Sequence, residues 1–163
     1  MAPLGAVTAP EDLPAAIAGA SPAIRDRPAA HAREHSLEIQ MSFVARLLPG
    51  VPVVPLVMGH QTRGTAEALG DALAQAVAAR VAPGRAPAVL LVASSDLSHF
   101  HDARTAAAMD DVVARHVDAF DPEALMETLE REPTHACRGG PMVAGLPPRP
   151  RLGATPARAL GCP

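Results

Sequence analysis

Residues 88–101 read Ala-Val-Leu-Leu-Val-Ala-Ser-Ser-Asp-Leu-Ser-His-Phe-His. The first six are apolar on both faces of an extended chain, the pattern of a strand buried on both sides in a parallel sheet covered by helices. The remaining eight turn abruptly polar. In open α/β sheets ligands bind beyond the carboxyl ends of strands, so position alone makes Ser95, Asp96 and His99 candidates for a site. Asp96 and His99, three apart in a tight turn, can hydrogen-bond or hold one metal together. The structural alternative is that Asp96 or Ser98 caps the following helix while His99 and His101 face solvent.

Working outward, residues 51–58 form a second apolar, β-branched run, with Pro52 and Pro55 arguing for an edge position. Residues 65–80 and 104–120 read as helices, and Asp121 and Pro122 open another as N-cap and first helical residue. Strand and helix alternating at these lengths predict a right-handed βαβ unit in an α/β layered domain. Upstream, a short helix is expected over residues 10–19. A longer one is expected over 34–48, where Leu37, Met41, Val44 and Leu48 recur at helical spacing and Pro49-Gly50 ends the run.

Composition narrows the function. The chain has 163 residues, enough for one domain with its own core, but no Trp or Tyr and three Phe, so base-stacking readers of nucleic acid are excluded. All 14 cationic side chains are Arg, none forms a basic stripe, and the net charge is −3. Two cysteines make no disulfide framework, the start carries no secretion signal, and no apolar run is long enough to span a bilayer. A cytoplasmic protein is expected, with no nucleic-acid or membrane partner.

Two further clusters carry chemistry. His31 and His35, four apart, would share a helical face, and His31-Ala-Arg-Glu34-His35 matches the H-x-x-E-H pattern of inverted zinc peptidases. The alternative places His31 on the surface at a helix start. Near the end, Thr134-His-Ala-Cys137-Arg138-Gly-Gly-Pro141 looks like a loop feeding a helix. There a thiol beside Arg138 and a helix N-terminus favours the thiolate. Its alternative is an inert small apolar residue. His60 and His116 read as surface positions.

Taken in order, the strings Glu34-His-Ser-Leu-Glu-Ile-Gln40, Val53-Val-Pro-Leu-Val-Met-Gly59, Ser94-Ser-Asp-Leu-Ser-His-Phe100 and Ala136-Cys-Arg-Gly-Gly-Pro141 resemble the MEMO family, known in prokaryotes as AmmeMemoRadiSam system protein B. The longer motif displaces the inverted-zincin reading. The resemblance implies an incomplete αβα sandwich like the LigB class III extradiol dioxygenases, spanning residues 1–146. The Pro- and Arg-rich residues 147–163 are expected to be a disordered tail. It implies a metal site of His35, Asp96, His99 and Cys137, with Glu34, Ser95 and His31 nearby. Iron is the implied metal, with copper or zinc as alternatives, and a radical-SAM protein and an AMMECR-type protein are the implied partners. If active, the protein would be a non-heme metal-dependent oxidoreductase. The family's upstream His-Ala-Gly-Tyr-like strand is not in this sequence, and Arg138 stands where the family has Gly. The alternatives are therefore a non-catalytic interaction module or a non-functional truncated member.

Overall fold

A computed structural model describes residues 7–32, 34–80, 89–137 and 139–146, which fall into two compact units, residues 1–59 and 60–163. The expected tail, Arg138 and Cys162 lie outside the described residues.

The first unit holds α1 (Leu13–Ala20), the single turn α2 (Pro28–His31) and α3 (His35–Leu47). Prolines open α1 and α2, where their missing N–H costs nothing. Glu34 caps α3, its carboxylate accepting from the Ser36 amide at 2.8 Å and the Ser36 hydroxyl at 2.6 Å. The helix stops where Gly50 takes a left-handed φ of 79° and the Val51 amide closes a turn onto the Leu48 carbonyl at 3.1 Å. Ile17 and Ser21 are the buried residues of this unit among those described. Leu37, Met41 and Val44 are half-buried, while Ile39, Phe43 and Leu47, spaced four apart, form an exposed apolar stripe.

The second unit packs α4 (Arg63–Ala78), α5 (Ala103–Asp118), α6 (Pro122–Arg131) and α7 (Gly140–Gly145) around a core of Ala66, Val113, Leu125, Met126, Leu129, Ala136, Val143 and Leu146. Side-chain caps define the helix starts. Thr62 accepts from the Thr65 amide, Asp102 from the Arg104 and Thr105 amides, and Asp121 from the Ala124 amide. Between α5 and α6, Phe120 adopts φ 54°, so that its amide bonds the Val117 carbonyl and the Asp121 amide the His116 carbonyl. Glycine usually fills such a position, but here the Phe120 ring packs on the core. α4 and α7 approach closely at Gly70, where a Cβ would lie 3.3 Å from the Ala144 carbonyl oxygen. Half-buried Arg63, at the start of α4, pairs with Glu123 and with Glu130 of α6, the latter at 2.7 Å.

The expected α/β sandwich is overturned: among the described residues there are seven helices and no strand. Residues 51–58 form no strand, and Pro52 and Pro55 have no amide hydrogen. The backbone bonds in this run come from the Val51 amide to Leu48 and from the Val53 amide to the Thr8 carbonyl at 2.8 Å. Residues 89–93 exchange no backbone hydrogen bond with one another or with other described residues, and Leu90 and Val92 are 76% and 72% exposed. A β-branched apolar run becomes a strand only when a neighbour completes its ladder, and side-chain pattern does not report whether that neighbour exists. The βαβ unit fails with its strands. The helices at 65–80, 104–120 and 122 onward form within two residues of their expected bounds.

Leu125 is fully buried, so Leu125→Ala is expected to cost about 2–5 kcal/mol in urea unfolding. Three carboxylates are held below the ordinary range: Glu34 by the Ser36 hydroxyl and amide, Asp102 by the Thr105 hydroxyl and amide, and Glu130 by the Arg63 guanidinium. Their folded pKa values lie below the unfolded ones. Their contribution is therefore complete above about pH 5 and disappears as acid protonates the folded carboxylates. The thermal midpoint, followed by circular dichroism, should fall between about pH 4 and pH 2. Asp102→Asn, which still caps but does not titrate, should make that fall shallower.

Candidate functional site

The loop of residues 94–101 runs between the extended segment and α5, and the core fixes its middle. Leu97 packs against the buried cluster that also contains Ala136. The residues beside these two anchors, Asp96 and Cys137, meet through backbone: the Cys137 amide donates to the Asp96 carbonyl at 2.9 Å. Both side chains remain in solvent, the Asp96 carboxyl 78% exposed and the Cys137 thiol free.

His99 turns back on the same loop. Its Nδ1 lies 2.8 Å from the Leu97 carbonyl oxygen, which accepts only and so places the ring hydrogen on Nδ1. The other nitrogen, Nε2, is 3.4 Å from Asp96 Oδ2. The two side chains form an ion pair when the ring is protonated. Ser95 donates its hydroxyl to the Asp96 carbonyl at 3.1 Å. The cap reading of Asp96 and Ser98 does not hold, because Asp102 caps α5.

The first cluster is arranged differently from its expectation. His31 ends α2 and His35 begins α3, with Glu34 extended between them at φ −91° and ψ 114°, so the two histidines do not occupy successive turns of one helix. His35 is 83% exposed, its Nδ1 3.5 Å from Glu38 Oε2. His31, Glu34, His35, Leu37, Glu38 and Met41 line a shallow hollow of about 240 Å³, and His31 Nδ1 is buried there without a partner among the described residues. His35 belongs to the first unit and Asp96, His99 and Cys137 to the second. Among the described residues no three His, Cys, Asp or Glu side chains gather closely enough to hold a metal. His116, read as a surface position, is half-buried with Nε2 3.0 Å from the Thr128 hydroxyl.

Two supporting residues escape a reading of the sequence. Asp110 accepts the Ser98 amide on Oδ1 at 3.0 Å, and Gln61 accepts the Gly140 amide at 3.0 Å. They stand 12 and 79 positions from their partners, where no local spacing rule reaches.

Comparison of the sequence with known proteins places the chain in a family. A profile described as Memo-like protein matches residues 1–161, and the chain belongs to that family. The match runs beyond residue 146, where the resemblance of the sequence strings ends. A MEMO1 family protein of Thermotoga maritima is 37% identical over 110 residues, 68% of this chain and 38% of the relative. One of Caldivirga maquilingensis is 29% identical over 158 residues, 97% of this chain and 54% of the relative. The chain thus spans about half the length, or less, of these curated relatives. No solved structure matches it significantly. No helix among the described residues is long and apolar enough to cross a membrane.

Because Cys137 serves the fold through its amide and not its thiol, Cys137→Ala is expected to shift urea unfolding by less than about 0.5 kcal/mol. In a Cys162→Ser chain, the native protein should react fully with a thiol reagent within the mixing time of an exposed thiol.

Proposed function

We propose that this Memo-like chain is a metal-binding protein whose donors in its second unit are Asp96, His99 and Cys137. Iron is the proposed metal, and copper or zinc the alternatives. The single observation that carries the reading is the His99 ring, held by the Leu97 carbonyl through Nδ1 with Nε2 3.4 Å from the Asp96 carboxylate. A carboxylate, an imidazole and a thiolate together suit a borderline divalent ion such as Fe(II) or Zn(II). The Cys137 amide bond to the Asp96 carbonyl, 2.9 Å long, supports including Cys137.

When bound, such a metal supplies a Lewis acid or redox centre open to a small molecule or dioxygen. The protein's own part is to hold the His99 tautomer and to offer the Asp96 charge. As in the family resemblance, the proposed setting is a system with a radical-SAM protein and an AMMECR-type protein.

A second reading, a non-catalytic interaction module, is favoured by one feature. Phe100, next to His99, is fully exposed, and an aromatic side chain in water is a ready anchor for a partner. Metal content separates the two. The full chain, purified without oxygen, chelator or affinity tag, should carry near-stoichiometric metal by mass spectrometry. His99→Ala and Cys137→Ala should each lower the affinity by about tenfold or more. A folded chain with no metal, in which those substitutions change nothing, sinks the metal reading in favour of the interaction module.

A further inference from the structure

α3 carries apolar side chains on two sides. Leu37, Met41 and Val44 recur on one side and are half-buried within the first unit. Ile39, Phe43 and Leu47 line another side and are 58%, 60% and 72% exposed. Leu48 and Val51, both exposed, carry this apolar surface past the end of the helix. A helix with apolar residues on both sides is one whose stable state covers both. The unit itself needs the cover. Among its described residues Ile17 is the sole buried apolar side chain, too small a core to hold about sixty residues together.

We propose that this stripe is an interface between two copies of the chain, in which α3 packs antiparallel on α3 of the second copy about a two-fold axis at Phe43. Size, spacing and charge select a second copy over a different protein. The five exposed side chains offer roughly 400 Å² of apolar surface, the scale of patch that marks an interaction site. A standard interface takes about 800 Å² from each partner, a little over half of it apolar, so the stripe supplies the apolar share of one such contact. Ile39 and Leu47 stand four residues on either side of Phe43. A two-fold rotation therefore lays Ile39 of each copy against Leu47 of the other, and Phe43 against Phe43. No charged side chain interrupts the stripe, so nothing on it selects a partner of opposite sign. Glu38 lies farther round the helix, 3.5 Å from His35, and Arg46 stands at the stripe's edge. Antiparallel packing keeps the two Arg46 about 9 Å apart along the axis, whereas parallel packing would set these like charges level. None of these residues is a proposed metal donor, and the interface stands independently of the metal reading.

The test is the mass of the full chain in solution, by light scattering and sedimentation equilibrium from about 1 to 200 μM, a range that brackets a contact of modest size. A thiol reductant is present, so that Cys137 cannot link two copies. A dimer that dissociates on dilution is expected. Phe43→Glu should raise its dissociation constant about thirtyfold or more, because in a symmetric pair each substitution acts twice. Leu90→Glu, at an equally exposed apolar residue of the second unit, should leave it unchanged. On diluting the unsubstituted chain, the NMR amide signals of Ile39, Phe43 and Leu47 should move while those of α5 stay in place, a measurement that stands even if the glutamate variant unfolds. A chain monomeric at the highest concentration overturns the proposal, whatever then covers the stripe. So does a dimer that Phe43→Glu leaves intact, or α3 signals that do not move as the dimer dissociates.

Discussion

The candidate site depends on two apolar side chains placed next to polar ones. Leu97 adjoins Asp96, Ala136 adjoins Cys137, and both apolar residues settle into the core made by α4, α5, α6 and α7. Burial fixes their backbones, and the Cys137 amide then reaches the Asp96 carbonyl across 2.9 Å. Neither polar side chain takes part in this meeting. The core thus holds the two backbones against each other and leaves the Asp96 carboxyl and the Cys137 thiol exposed.

Small residues make such a core possible. With no Trp or Tyr, the interior is filled by Ala, Leu, Val and Met, and helices approach closely where Ala or Gly faces another backbone. Gly70 against Ala144 is the tightest described example, and any larger side chain at 70 would have to push α7 away. α7 follows the Cys137 loop, so a shift there would reach the site. The Gln61 bond to the Gly140 amide further anchors the start of that helix.

Helix existence was legible because it is a local matter. Thr62, Asp102 and Asp121 cap at positions where a polar residue precedes a Pro- and Gly-poor run, and Pro122 opens α6 as its fixed φ requires. The apolar runs at 51–58 and 89–93 misled, since β-branched composition describes half of an interaction whose other half is a separate stretch of chain. The pairing of Asp96 with His99 was legible from a spacing of three. The support from Asp110 was not, because a carboxylate on α5 finds the Ser98 amide only after the loop has folded back.

The sequence by itself determined where helices start and stop, and it placed each polar cluster at the end of an element. It also carried the family, through strings whose order and identity survive without any knowledge of packing. Tertiary structure alone decided which clusters touch. It brought Cys137 to Asp96 over 41 positions through a backbone bond, and it aimed His99 Nδ1 at the Leu97 carbonyl. Among the described residues it gave 89–93 no backbone hydrogen-bond partner. The physical reason is range: caps, prolines and periodicity act within a turn or two, whereas ladders, buried contacts and loop-to-loop hydrogen bonds need a partner that the local sequence does not contain.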